Sequence, residues 1–327
     1  MTTVFVAISV SLILYVAYRL YQHLFPAPDI HANGLYVLIT GCDSGFGHAL
    51  AIDLDRLGFH VLAGVYNVNN QQAFTSHLSA RATVFCLDVT REDDIDAVYK
   101  LVQGKTKTLH ALVNNAGIGK IGLFDWTSID FMRRMMEVNF FGQVMMTKKF
   151  LPLLIAKRGS RLVNLCSVAG YLAGPGASAY CTSKFALEAF SDSLRREMFA
   201  WGLHVSIIEP AYMRTPIIEG HDHAIRDLWS ALDEETKARW GDHFCQQLMA
   251  HALNNPFISN AENPQKVVRA LRHAVMNSVP RIRYRPGWQS SLFFFPLSML
   301  PAWLADLFLC KLRGMDTPPA GLVAQFK

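Results

Sequence analysis

A chain of 327 residues, 51% apolar and 17% charged, is long enough to bury a full core and too apolar for a disordered polymer. Its formal charge of +5 comes from scattered residues, with no basic stripe interleaved with aromatics, which excludes a nucleic-acid surface of the usual kind. Its six cysteines show neither a CxxC nor metal-ligand spacing, which excludes a disulfide framework or a metal centre as the organising feature.

The first element is apolar. Val4 to Tyr18 carries no charge, and with Arg19 and Leu20 it would span about 25 Å as a helix, just short of a ~30 Å hydrocarbon core. Met1-Thr2-Thr3 lacks the basic n-region of a cleaved signal peptide, so residues 1–25 are expected to be an uncleaved membrane anchor. Arg19 is the main charge beside it and orients the rest of the chain toward the cytosol.

From residue 34 onward strand and helix patterns alternate without a linker. Leu35–Thr40 is a short apolar run of the kind that makes a buried strand, followed by Gly41-Cys-Asp-Ser44-Gly45-Phe46-Gly47 and a helix pattern from His48 to Leu57. Glycines at those spacings allow a tight turn, close approach to a pyrophosphate and close packing of helix on strand. Further strand-like runs fall at His60–Val65, Thr83–Leu87, Ala111–Val113, Arg161–Cys166 and His204–Ile208, separated by helix patterns that include Phe131–Ala156 and Ser178–Ala200. The alternation predicts one α/β domain, a doubly wound parallel sheet of the Rossmann type with hydrophobic segments at both ends.

The chemistry is concentrated in Ser167 to Lys184. Ser167 stands thirteen positions before Tyr180, and Lys184 four positions after it. On a helix starting at Tyr180, Lys184 lies one turn along the same face, where its charge is expected to pull the phenol down from about 10. A tyrosine so tuned can exchange a proton with an alcohol or carbonyl oxygen that a serine hydroxyl also holds. That is chemistry for interconverting an alcohol and a carbonyl.

With both regions in place the chain resembles the short-chain dehydrogenase/reductase family over roughly Gly34 to Arg285. The glycine loop matches the family's TGxxxGxG motif, Asn114-Asn115-Ala116-Gly117 its NNAG motif, and Ser167, Tyr180 and Lys184 its catalytic residues. Asn139, in VNFFG, matches the fourth member of the catalytic tetrad. The wording TGCDSGFG and the apolar ends look more narrowly like the branch of microsomal retinol and hydroxysteroid dehydrogenases.

The resemblance implies roles. Tyr180 would be the proton acceptor, Ser167 would hold the substrate oxygen with it, Lys184 would hold the nicotinamide ribose, and Asn139 would hold a water linking Lys184 to solvent. Gly41, Ser44, Gly45, Phe46, Gly47, Ala116 and Gly117 would line the cofactor. Asp88, at the end of the third strand, would face the adenine, because Thr90 with Asp93 reads as the capping box of the next helix and leaves Asp88 free. Asn114 would support the sheet beside the cofactor, and Thr215, after Pro210, would touch the carboxamide. The family usually has glycine after that proline; Ala211 adds a methyl there, with a slightly altered cofactor fit expected.

Charge decides between cofactors. A 2′-phosphate calls for Arg or Lys in the glycine loop or after the second strand, where this chain has Asp43, Ser44, Tyr66, Asn67 and Asn69. NAD is therefore expected over NADP. No acid stands at the end of the second strand, so ribose recognition is expected to rest on amides.

Two later segments break the alternation. Residues 212–260 carry Trp229, Leu232, Trp240, Phe244 and Leu248 near helical spacing; they either form an amphipathic helix on the core or line the substrate pocket that this region caps in the family. Within residues 291–327, Ser291–Cys310 is apolar but interrupted by Pro296, Pro301 and Asp306, so it either lies at a membrane interface or packs as a final extension of the core. Arg281, Arg283 and Arg285 beside it are expected to favour anionic headgroups. The expected function is hydride transfer between NAD and a lipophilic alcohol, a retinol or hydroxysteroid, in the direction of oxidation at the endoplasmic reticulum membrane. The alternatives are an NADPH-dependent carbonyl reductase on similar lipids and a non-catalytic cofactor-binding scaffold. The two long helices are those the family pairs in a homodimer.

Overall fold

The computed structural model describes residues 27–218 and 221–325, together with scattered positions before them. The expected anchor therefore lies largely outside the described residues. Among those described, no helix is long and apolar enough to cross a membrane.

The first half runs β1 (Tyr36–Ile39), α1 (Gly45–Arg56), β2 (His60–Val65), α2 (Val68–Thr75), β3 (Thr83–Cys86), α3 (Glu92–Lys105) and β4 (Ala111–Asn114). The second half continues with α4 (Ile129–Met136), α5 (Gly142–Ile155), β5 (Arg161–Leu165), α6 (Ser178–Glu197) and β6 (His204–Ile208). The strands form one parallel sheet in the order β3-β2-β1-β4-β5-β6, and a seventh strand, Arg283–Tyr284, adds to the β6 edge.

Successive strand residues point to opposite faces, and both faces are covered. Val37 and Ile39 pack with Leu50, Leu54, Val267 and Leu271 on one side. Leu38 between them packs with Val98, Met146, Phe150 and Leu162 on the other. Two cores explain why these strands read as continuous apolar runs. The chain leaves β1 toward one side of the sheet and β4 toward the other, and ligands of open α/β sheets bind in the crevice at such a switch point.

The segment from 131 to 156 is not one regular helix. α4 starts at Ile129, where the Ser128 hydroxyl caps Phe131 N, and a π turn over Glu137–Phe141 joins it to α5. The extra residue of a π turn re-aims the side chains around it.

The seventh strand escaped the sequence because it is only two residues long and lies in the charged stretch RIRYR. Ion pairs hold it: Arg283 reaches Glu188, Asp192 and Glu209, and Arg285 reaches Glu209 at 2.7 Å while its guanidinium lies 3.6 Å above the Phe295 ring. Arg283 and Arg285 are thus engaged within the protein. The expectation that they favour lipid headgroups is corrected for both.

The longer helices that follow are α7 (His221–Ala231), α8 (Glu234–Trp240), α9 (Asp242–Leu253), α10 (Gln265–Met276, which precedes the seventh strand, β7) and α11 (Ala302–Leu312). Trp126, Trp229, Trp240 and Phe244 pack on one another, with Ile225 and Leu248 around them. These aromatics form a small core of their own and do not line the cavities of the site.

Candidate active site

A cleft of about 640 Å³ runs over the carboxyl ends of β1, β2, β4 and β5. Its floor starts at Gly41, whose φ of 69° suits glycine and whose missing Cβ lets Ala116 approach; a Cβ there would meet the Ala116 backbone at 2.8 Å. The Thr40 hydroxyl ties the two loops together by accepting from the N–H groups of Asn115 and Ala116. The Asn115 amide donates to the carbonyls of Thr40 and Gly41, both at 2.9 Å.

Ser44 is the N-cap of α1 but makes no side-chain cap, and the first turn holds no acid. The free N–H groups and the positive end of the helix dipole therefore face the cleft, where Ser44, Gly45 and Phe46 form its wall. This is an arrangement that fits a pyrophosphate. Gly47 does not touch the cleft; a Cβ on it would meet the Gly41 carbonyl at 2.6 Å and the Asn115 amide, so its role is to let α1 pack on the loop.

Asp43 lies where sequence spacing did not put an acid. Its carboxylate accepts from Tyr66 N at 2.7 Å, Asn67 N at 2.9 Å and the Asn70 amide at 3.1 Å, so the glycine loop delivers a carboxylate to the end of β2. The expectation that no acid stands there fails in space, though it holds along the chain. The Asn67 side chain instead caps α2 by accepting from Asn69 N.

Asp88 is on the cleft, but it is not free. Its Oδ1 accepts from both the N–H and the hydroxyl of Thr90, and α3 begins one residue later than a Thr90 cap requires, with Arg91 as N-cap. Asn114 lies off the cleft: it is fully buried and donates to Thr147 and Asn164 at 2.9 Å each, holding α5 to the sheet. Among the described residues Ala116, Gly117, Ile118, Leu165, Pro210, Ala211, Met213 and Thr215 complete the walls. Arg134 also lines the cleft, and nothing in its sequence context marked it.

The tetrad residues converge at one end. α6 carries Tyr180 and Lys184 one turn apart, and the Lys184 Nζ lies 5.8 Å from the Tyr180 ring centre. Lys184 is 4% exposed and donates to the Leu165 carbonyl at 2.9 Å; burial lowers its pKa. Ser167 follows β5, and its hydroxyl accepts from Ala169 N and approaches the Pro210 carbonyl. Asn139, on the π turn, both accepts from Ile118 N at 2.8 Å and donates to Ile118 O at 2.9 Å. The π turn thus pins the loop after Gly117, and Gly117 lies beside both Asn139 and Lys184: a Cβ on the glycine would sit 3.2 Å from Asn139 Oδ1 and 3.8 Å from Lys184 Nζ.

The pKa expectation for Tyr180 is reversed. Burial pushes its phenol well above the ordinary value, against the Ser167 hydroxyl, which favours the phenolate. Lys184 has its own pKa lowered by burial, and its ammonium donates to the Leu165 carbonyl.

A second cavity, of about 160 Å³, opens from the same point. Ser167, Tyr180, Ala211 and Ile218 line both spaces. Its other walls are mostly apolar and come from the Gly119–Ile121 loop, Val168 to Ala177, and Phe294, Leu309 and Leu312 of the C-terminal segment. From 212–260 only Tyr212 and Ile218 reach it among the described residues. The C-terminal contribution was missed because an apolar run of that length reads equally as membrane or as core.

Comparison with known proteins points the same way. A family model described as short chain dehydrogenase matches residues 35–225. Human retinol dehydrogenase 5 is 40% identical over 292 residues, covering 86% of this chain and 89% of that protein. Human short-chain dehydrogenase/reductase family 9C member 7 is 38% identical over 281 residues, covering 84% and 89%. A short-chain dehydrogenase from Streptomyces avermitilis, 24% identical, superposes with a TM-score of 0.69 over 88% of this chain and all of that one.

Proposed function

Because this chain belongs to the short-chain dehydrogenase/reductase family, an oxidoreductase family whose Rossmann-type fold binds NAD(P), we propose that it oxidises a lipophilic alcohol with NAD. The observation that carries this reading is the junction of the two cavities. Ser167 and Tyr180 lie on the shared wall between a cleft suited to a dinucleotide and a mostly apolar chamber.

A bound nicotinamide would accept hydride from the carbinol carbon. Tyr180 would take the hydroxyl proton as its phenolate, the form that the Ser167 hydroxyl favours against burial and that requires the phenol first to give up its own proton. Ser167 would hold the same substrate oxygen so that the proton and the hydride depart along fixed directions. Lys184 lies behind Tyr180 next to Gly117, within reach of a ribose on that floor. Asn139 fixes the Ile118 backbone and so the loop after Gly117, beside Lys184. Gly41, Ser44, Gly45 and Phe46 would hold the pyrophosphate of a bound dinucleotide, and Ala116, Gly117, Pro210 and Thr215 would line the rest of its cleft. Asp88, on the same cleft, would face its adenine side.

NAD would be preferred because Asp43 places a carboxylate at the end of β2, where it would accept from a ribose hydroxyl and repel a 2′-phosphate. The substrate is a retinol or hydroxysteroid: the name of retinol dehydrogenase 5 supports the first, and the mostly apolar chamber suits either. Membrane residence is supported by the apolar segment from Val4 to Tyr18 and by the outward face of α11, where Trp303, Leu307 and Phe308 are exposed. The endoplasmic reticulum, with the domain toward the cytosol, fits these features. The exposed Phe141 and Phe185 on the long helices favour a homodimer.

The test is NADH formation by the vesicle-reconstituted protein offered retinol and hydroxysteroids separately, with NAD and NADP compared. Tyr180→Phe is expected to lower turnover by about 10²- to 10⁴-fold while NAD still binds. Turnover with NADP alone, or undiminished turnover in the variant, would overturn the reading.

A further inference from the structure

The second cavity is not apolar throughout. The guanidinium of Arg313, just past the end of α11, lines it and donates to the Tyr212 hydroxyl at 3.1 Å, its side chain's only hydrogen bond among the described residues. Lys120 stands on the same wall, and no described residue of the lining is acidic. Arg283 and Arg285, by contrast, are matched by carboxylates. Cys181, the residue after the candidate catalytic tyrosine, lines the same chamber; burial raises its thiol pKa, and the nearby Arg313 charge acts against that rise.

A planar, half-buried guanidinium with N–H groups left over is a ready partner for a carboxylate or sulfate. Tyr212 fixes the fork: its ring is stacked on Phe257 and tilted against Phe294, and its hydroxyl accepts from Arg313. Building on the alcohol-dehydrogenase reading, we infer that Arg313, oriented by Tyr212, recognises an anionic oxygen group on the substrate, remote from the reacting alcohol. The preferred substrate class is then a lipophilic hydroxy acid or its sulfate analogue, such as a hydroxysteroid with an acidic side chain, over a wholly apolar alcohol. Lys120 at the exposed rim adds charge without fixed geometry.

The test uses a matched pair, a 3-hydroxysteroid with a side-chain carboxylate and its methyl ester, with the corresponding 3-oxo acid and 3-oxo ester as non-turnover ligands in the presence of NAD. Binding of the 3-oxo pair by equilibrium dialysis is expected to favour the acid by about tenfold or more, as a charge-assisted pair does. In Arg313→Gln the acid-to-ester ratio should fall to about one, and Arg313→Lys should restore part of it. Tyr212→Phe should lower the ratio by loosening the fork. Equal binding of acid and ester by the wild type, or a ratio unchanged in Arg313→Gln, overturns the inference. Absent turnover on both alcohols, with acid-selective binding intact, would sink the dehydrogenase reading and leave the anion site standing.

Discussion

Asp43 shows how a residue can take a role that its place in the chain does not announce. It belongs to the glycine loop, yet its carboxylate gathers the N–H groups of Tyr66 and Asn67 at the end of β2. A fixed negative charge within a few ångströms of a 2′-phosphate costs roughly 1–4 kcal/mol, depending on how much water intervenes. Asp43→Asn is therefore expected to shift the ratio of kcat/KM for NAD over NADP by about tenfold toward NADP, measured with one alcohol and both cofactors. An unchanged ratio would mean that the carboxylate only organises the loop. Tyr180 carries the opposite lesson. The YxxxK spacing was correct, but the expected depression of the phenol pKa assumed that Lys184 spends its charge on the ring. Burial costs both groups their charged forms, and the Leu165 carbonyl takes the ammonium's hydrogen bond.

At the scale of elements, the β1–α1 unit is held by a contact no side chain could share. A Cβ at Gly47 would press on the Gly41 carbonyl and the Asn115 amide, both of which anchor the loop. Gly47→Ala is expected to cost roughly 1–3 kcal/mol in denaturant unfolding and to weaken NAD binding, since α1 must retreat from the strand. The other end of the sheet carries a pH liability. His110, just before β4, is held neutral: burial, with Arg161 nearby, lowers its pKa to about 4, and its Nε2 meets the Val275 carbonyl at 2.9 Å. An unfolded chain binds the proton near 6.5, so this contribution is full above that value and is lost as pH falls toward 4. The loss is of order 3 kcal/mol. Thermal unfolding followed from pH 7 to 4 should therefore decline less steeply in His110→Gln than in the wild type; parallel declines would remove His110 as the cause.

At the scale of the whole molecule, the C-terminal segment closes the site. α11 turns Ala305, Leu309 and Leu312 inward and leaves Trp303 and Leu307 outward, so a single apolar helix serves as cavity wall on one face and as exposed apolar surface on the other. Residues 291–310 thus share features of both readings: Pro301 breaks the run, and the helix after it packs one face on the domain and leaves the other exposed. Leu309→Ala should cost about 2 kcal/mol of stability. It should also raise KM for a lipophilic alcohol several-fold while KM for NAD stays fixed, a split that steady-state kinetics with each substrate varied would detect. Parallel changes in both constants would place Leu309 outside the substrate chamber.

The sequence by itself determined the α/β alternation, the strand positions to within a residue or so, the family motifs and the face shared by Tyr180 and Lys184. Those features are local: strand runs buried on both faces, glycines at a turn, and residues four apart on a helix are dictated by short stretches of chain. Tertiary structure decided what depends on distant partners. The pairing of Arg283 and Arg285 with Glu188 and Glu209, the reach of Asp43 to β2, the burial of Asn114 and the closure of the chamber by α11 each join segments far apart in sequence. The seventh strand belongs to the same group, because two residues carry no periodicity and only the β6 edge and the buried carboxylates make them a strand. Desolvation likewise has no sequence signature, since the environment that raises the Tyr180 phenol exists only once β5, α6 and the loop after β6 have packed around it.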